Sequence, residues 1–326
     1  MSLTALSQET FKMKKHSLAQ FCLLALVLVA PPHAKLAASE PPTLFERRNI
    51  VAWCIVPFDS VKRSPAERAE MVRQLGITRV AYDWRSEHVP QFEQEILEYK
   101  KRGLEYFAFW SVHDEAFRLF EKYQLHPQIW ILAPSPAATL TRDQQIKEAS
   151  TKLLPLVERT RKLGCQLGLY NHGGWGGEPE NLVAVCEYLR QHHDATHVGI
   201  VYNQHHGHSH VDRFAAALAL MKPYLLCLNL NGLTRDGDKH GRKIQPVGQG
   251  ELDLPMLKIL ATSGYRGPIG IIGHTNDDVE LRLRDNLEGL DWLVPQLSGQ
   301  PAGPKPTPRL PLLPKPAAPA QASASK

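Results

Sequence analysis

Cysteine is scarce in this chain, with five residues among 326. Cys22, Cys54, Cys165, Cys186 and Cys227 include no Cys-x-x-Cys pair, so a disulfide framework is not indicated. Cys54, Cys165 and Cys227 lie in or beside apolar runs, where cysteine acts as a small hydrophobe, and free buried thiols are expected. The middle of the chain has no basic patch interleaved with aromatics and no nucleic-acid motif, which excludes a nucleic-acid partner. The formal net charge of +5 sits partly in the two ends. No glycine-rich phosphate fingerprint follows the first apolar run, which disfavours an open dinucleotide-binding sheet.

The apolar run Phe21–Ala30 (FCLLALVLVA) is too short to span a bilayer stably. Lys12, Lys14 and Lys15 precede it and small residues follow, with cleavage suited near Ala34 or Ala38. Residues 1–38 therefore read as a signal peptide, with Met13 as an alternative start and an uncleaved anchor as the rival. The mature protein is expected to be secreted or periplasmic and to meet a membrane only through this segment. At the other end, residues 298–326 are rich in proline and alanine and lack any apolar period. They are expected to form a disordered tail whose removal leaves melting unchanged.

Between these ends, hydrophobic and charged residues are balanced as in a protein with a real core, at 43% and 22% of the whole chain. Apolar runs alternate with amphipathic stretches eight times. Asn49–Phe58 opens the series, and Ser64 with Glu67 and Pro65 reads as a capping box starting the first helix. Near-continuous apolar strands suit parallel pairing buried on both faces. Eight strand–helix units over about 250 residues predict a single α/β (β/α)8 TIM barrel spanning 46–297.

In such a barrel chemistry sits at the carboxyl ends of the strands. That rule selects Asp59; Asp83, Trp84 and Arg85; Trp110 and His113; Asn171 and His172; Asn203, His205 and His206; Asn229 and Asn231; His274 and Asn276. Neutral imidazoles there can bind a transition metal, and amides can bind sugar hydroxyls. Asp83 and Arg85 alternate in one strand and project alike, binding substrate or bracing the rim, while Trp84 packs outward. Trp110 and Trp175 can stack on a sugar face, with barrel core as the alternative for Trp110. The segment VYNQHHGHSH (201–210) holds four histidines in six positions; His208 and His210 read as solvated loop. The long polar loop after the seventh strand is of a length that is usually functional on this face.

The stretches GLYNHGGWGGEPENL, the strand followed by NQHH, and PVGQGELDLPMLKILATSGYRGPIGI resemble the xylose isomerase-like TIM barrels over roughly Asn49 to Leu293. That superfamily contains sugar-phosphate isomerases, ketose epimerases and family 2 apurinic endonucleases. The resemblance implies one divalent metal held by Glu, Asp, His and Glu after the fifth to eighth strands. Here those places carry Asn171 and His172, Asn203 through His206, Asn229, and Gly273 with His274. Only the histidine of the family's Asp-x-x-His survives, as His206. A hard cation would lose most of its coordination in such a site.

Three readings follow. The first is a sugar isomerase, epimerase or related lyase that abstracts a proton next to a carbonyl. Its catalytic histidines are His172, His206 and His274, which also form the candidate set for one divalent transition metal. Its substrate-binding residues are Asp83, Arg85, Trp110, Asn171, Trp175, Asn203, Asn229 and Asn231. The second is a non-catalytic carbohydrate-binding barrel that lost the metal site. The third, a hydrolase, depends on Asp59 and Asp83 acting as a pair. The expected partner is a small-molecule carbohydrate; the sequence leaves the cofactor and the oligomeric state open.

Overall fold

The computed structural model describes residues 43–312. The expected signal segment and the end of the expected tail lie outside the described residues. Eight parallel strands close into one barrel in sequence order: β1 (Ile50–Trp53), β2 (Arg79–Tyr82), β3 (Glu105–Trp110), β4 (Gln128–Leu132), β5 (Leu167–Tyr170), β6 (Val198–Asn203), β7 (Leu225–Leu230) and β8 (Ile269–Ile272). Each is followed by a helix: α1 (Pro65–Gln74), α2 (Phe92–Lys101), α3 (Asp114–Tyr123), α4 (Arg142–Lys162), α5 (Pro179–His193), α6 (Phe214–Met221), α7 (Asp253–Thr262) and α8 (Val279–Leu297). All eight expected units are present, so the TIM barrel stands. No helix among the described residues is long and apolar enough to cross a membrane.

Local signals explain the boundaries. The Ser64 hydroxyl accepts the Glu67 N–H while the Glu67 carboxylate accepts the Ser64 N–H at 2.9 Å, and Pro65 occupies the first turn of α1. The strands are buried on both faces and feed two apolar layers. The outer layer packs strands against helices. The inner one fills the barrel with Val51, Trp53, Phe107, Trp130, Tyr170 and Val201. Gly168 on β5 makes room for Trp130: a Cβ there would lie 2.9 Å from its ring and 2.6 Å from Val201. The cysteines Cys54, Cys165, Cys186 and Cys227 are free and buried.

Part of the expected disordered tail is not free of the barrel. Residues 299–312 lie against α8 and the loop before α7. The Arg309 guanidinium and backbone N–H donate to Asp285, and its guanidinium also pairs with Glu288 at 2.6 Å. Trp292 Nε1 donates to the Gly303 carbonyl at 2.9 Å, and Gln249 Nε2 to the Pro306 carbonyl at 3.0 Å. Composition missed this because the attachment uses carbonyls and one ion-pair network rather than an apolar face.

Truncation after Leu297 should therefore lower Tm. It strips Asp285, a buried carboxyl, of its partners, a loss of about 1–3 kcal/mol. For a domain of this size that is roughly 2–10 °C. A differential scan showing an unchanged Tm would mean that the segment contributes nothing.

Candidate active site

The carboxyl ends of the strands open into a pocket enclosing about 440 Å³, part of it open to solvent. The chain turns sharply where it enters: Cys54, just after β1, and Ser111, just after β3, sit in the left-handed region at φ 58° and 64°. Non-glycine residues pay about 1–3 kcal/mol for such backbone, and it clusters at functional sites. One side of the pocket is aromatic. The Trp110 and Tyr170 rings lie 4.7 Å apart, Trp53 packs 5.9 Å from Trp110, and Trp53 Nε1 donates to the Tyr170 hydroxyl at 3.4 Å.

The other side is an arc of imidazoles. His172, after β5, is 4.2 Å ring to ring from His206, after β6. His206 is 3.8 Å from His205, and His205 is 6.1 Å from His274, after β8. His274 packs 3.7 Å from Phe58, over which the Arg85 guanidinium lies at 5.2 Å. The arc thus runs from β5 round the barrel seam to β2.

Asp83 sits deep in this pocket, 2% exposed. Its Oδ1 accepts the Val56 N–H at 3.3 Å, and its Oδ2 has no protein partner. Burial pushes its carboxyl up to about 7, with Arg85 pulling weakly the other way. The imidazoles shift the opposite way. Burial, then Lys243 and the neighbouring rings, bring His206 down to about 3. Burial, then Arg85 and Lys243, bring His274 to about 4. His172 and His205 are lowered by the same causes, burial first. Near neutral pH the arc is uncharged. Lys243 Nζ lies 3.4 Å from His206 Nδ1; an ammonium only donates, so this ring carries its proton on Nε2.

Of the sequence-selected residues, the pocket gathers Asp83, Arg85, Trp110, His172, His205, His206 and His274. The amides lie elsewhere. Asn171 staples two strand ends, donating to the Asn203 carbonyl at 3.1 Å and accepting its N–H at 2.6 Å. Asn203 and Asn229 are buried and do not line the pocket; Asn229 fills the space over Gly270. Asn231 holds its loop through the Gly232 and Lys243 carbonyls. Trp175 packs on the outer core and donates to Gln145. Asn171 and Asn231 thus bond backbone carbonyls and Trp175 a glutamine, whereas the Asn203 amide and Asn229 Nδ2 are buried without a protein partner. Trp84 packs outward as expected, donating to the Trp110 carbonyl, and His113 caps α3.

Other corrections concern the histidine loop and Asp59. His208 and His210 are buried, not solvated: His208 Nε2 donates to the Lys243 carbonyl at 2.9 Å, and His210 meets the Tyr202 hydroxyl at 3.1 Å. Asp59 is engaged by Arg63 at 2.8 Å and faces a neighbouring cleft rather than this pocket. It therefore forms no acid pair with Asp83, and the hydrolase reading loses its basis. Sequence reasoning missed Trp53, Cys54, Phe58 and Tyr170. The first two and Tyr170 are strand-end residues hidden inside apolar runs, and Phe58 carried no polar signal.

The metal expectation can be tested on the donors. Among the described residues no group of three His, Cys, Asp or Glu side chains is placed to hold a metal ion. His274 reaches the arc through His205, the only carboxyl in the pocket is Asp83, and Lys243 and Arg85 add positive charge at the lip. This set does not fit the divalent cation that the resemblance implies.

No protein-family model matches the chain, and no curated protein matches it in sequence. Solved structures do match. A 3-keto-D-glucoside 4-epimerase from E. coli is 16% identical, with 76% of this chain and 98% of that one covered, at a TM-score of 0.55. The chain has the xylose isomerase-like TIM-barrel fold. A D-psicose 3-epimerase from Clostridium cellulolyticum H10, solved with D-tagatose, is 12% identical over 74% of this chain and 97% of that one, at 0.51. A xylose isomerase domain protein from Planctomyces limnophilus is 13% identical over 80% and 100%, at 0.54. At such identities the likeness speaks for the fold.

The two kinds of pKa shift give stability two opposite pH limbs. Asp83, raised from 3.8 to about 7, contributes stability that is present below its unfolded value and lost as pH rises through 7. His206 and His274, lowered from 6.5 to about 3 and about 4, contribute stability present above 6.5 and lost as pH falls through those values. Urea unfolding at about pH 5 and about pH 8 should show Asp83→Asn gaining on the wild type at the higher pH. Equal slopes for the two proteins would place Asp83 in contact with water.

Proposed function

We propose that the pocket binds a small carbohydrate and moves a proton on a carbon next to its carbonyl, as a sugar isomerase or epimerase does. The observation that carries this reading is Asp83: a buried carboxyl with one free oxygen, titrating near 7, among the residues lining the pocket. A base poised near the working pH gives the best compromise between being ionised and being strong. The fold neighbours that are sugar epimerases support the substrate class. The basic and apolar opening of the chain supports export.

In this reading the aromatic side seats the apolar face of the sugar, and the imidazole arc meets its oxygens. The Asp83 carboxylate takes the proton from carbon. The electron pair moves to the carbonyl oxygen, where the neutral imidazoles, His206 through Nε2–H among them, donate hydrogen bonds to the developing charge. Asp83 then returns the proton to the former carbonyl carbon, while the neighbouring hydroxyl passes its proton to the former carbonyl oxygen and becomes the new carbonyl, so that an aldose and a ketose interconvert with atoms and charge conserved. A neutral imidazole of low basicity suits the donor role: it stabilises the enolate without giving up its proton. No step passes through a metal, since the donors do not fit one. This replaces the histidine base expected from sequence with a carboxylate.

The test is exchange from deuterated water into a panel of ketoses and 3-keto sugars, read by mass spectrometry. Asp83→Asn should reduce exchange about 10²–10⁴-fold, and the rate of the wild type should rise with an apparent pKa near 7. A sugar that binds without any exchange would establish the non-catalytic binding barrel instead.

A further inference from the structure

We propose that the carbohydrate taken by this pocket is an anion, its carboxylate or phosphate facing Arg85 and Lys243 at the mouth; this rests on the carbohydrate reading above. Both cations are exposed, and among the described residues neither has a carboxylate within ion-pair distance. On the same face several arginines are paired, while Arg242 beside Lys243 and Lys62 after β1 have no ion pair among the described residues. Arg63 holds Asp59 and Asp278, Arg213 holds Glu178, Arg235 holds Asp212 and Arg282 holds Asp277. What sets Arg85 and Lys243 apart is position: Arg85 lines the pocket, and Lys243 Nζ lies 3.4 Å from His206, which also lines it.

The Arg85 side chain and the Lys243 backbone are also held in place. Arg85 donates to the Trp84 carbonyl at 2.7 Å and lies over the Phe58 ring, which leaves its other N–H groups free. Lys243 belongs to the long loop between β7 and α7, and its carbonyl is clamped by His208 Nε2 at 2.9 Å and Asn231 Nδ2 at 3.3 Å. The next residue, Ile244, is buried against the inner barrel layer. His208 and Asn231 have no place in the pocket, so their work is to fix this lysine beside His206. Both cations act on His274 and help to keep it neutral, so their fields overlap inside the pocket.

The nearby carboxylates do not cancel this charge. Glu87 faces the neighbouring cleft, and Asp238 stands 3.9 Å from His208 on the far side of the clamp. Asp83 lies beneath the arc and is half protonated near neutrality. A neutral hexose gains nothing from two fixed cations at the lip. A hexuronate or sugar phosphate gains both steering and charge-assisted hydrogen bonds, the planar guanidinium favouring carboxylate and the ammonium serving phosphate.

Isothermal titration of the full chain separates the cases. The probes are a hexose, its hexuronate and its hexose 6-phosphate in the gluco and galacto series, at fixed ionic strength. At least one charged probe should bind about tenfold or more tightly than its parent hexose, and added salt should weaken it. The Arg85→Ala/Lys243→Ala variant should lose that preference while still binding the hexose. The tighter arm identifies the carboxylate or the phosphate. Equal binding of hexose and charged probes, no binding of any charged probe at millimolar concentration, or a preference that survives the double substitution would each overturn the proposal. The proton-transfer reading fails separately: a charged sugar held without deuterium exchange defeats catalysis alone, and exchange into a neutral sugar with no charge preference defeats this inference alone.

Discussion

Closure of the barrel is the constraint on which the pocket depends. β1 pairs with β8 in parallel register from Ile50 opposite Ile269 to Trp53 opposite Ile272. That seam places the loop after β1 beside the loop after β8, more than two hundred residues later. Phe58 can then pack on His274, and Arg85 on Phe58. The seam is locked above the sheet by Arg63, which reaches Asp59, Asp278 and Glu280 at once, and by the Ser60 N–H bonded to the Asp277 carbonyl. Asp59 also accepts the Val279 N–H, so one buried carboxylate ties the starts of α1 and α8 together. Without it the imidazole arc would end at β8 and leave Asp83 unroofed.

The electrostatics of the pocket follow from burying a carboxyl beneath rings that cannot easily charge. A buried carboxylate beside imidazolium would be an ion pair, held ionised and made a poor base. Here burial first, and then the two cations at the lip and the neighbouring rings, keep the imidazoles neutral, while desolvation raises Asp83. The members of the pair are thereby driven apart in proton affinity, the usual mark of an assigned acid–base division of labour. The scarcity of carboxylates in the pocket, where Asp83 is the one present, is coherent with this: a site with little negative charge has little to offer a divalent ion and more to offer an anion.

Much of the fold was legible in the sequence because barrel periodicity is local. The Ser64–Glu67 box, Pro65 and the glycine after α1 mark a helix without reference to anything distant. The strand-end rule also found Asp83, Arg85, His172, His206 and His274, since polar residues that interrupt apolar runs stand out. It also picked Asn171, Asn203 and Asn229, which do not line the pocket: an amide at a strand end can as well serve a neighbouring backbone, as Asn171 does, or a packed layer, as Asn229 does over Gly270. It failed for Trp53 and Tyr170, whose types are indistinguishable from core. The role of Asp83 was hidden for a different reason: its proton affinity is set by burial beneath loops from β1, β2 and β8, a long-range property. Residues 299–312 looked disordered by composition, yet Arg309 finds two carboxylates on α8.

The asymmetry of the pocket gives the last constraint on its use. The aromatic wall comes from β1, β3 and β5, while the arc of donors runs from β5 across the seam to β2. A pyranose has a C–H face that stacks on aromatic rings and a rim of oxygens that accepts hydrogen bonds. In the proposed reading the ring lies against Trp110 and Tyr170 with its oxygens toward His172 and His206. Cys54 lends itself to this orientation without chemistry of its own. Burial and the nearby Asp83 raise its thiol well above the ordinary range, so it stays a neutral, weakly polar surface beside the base. Its left-handed backbone, at φ 58°, stands beside the buried Asp83 oxygen that no protein group occupies, and strained backbone of this kind clusters at functional sites.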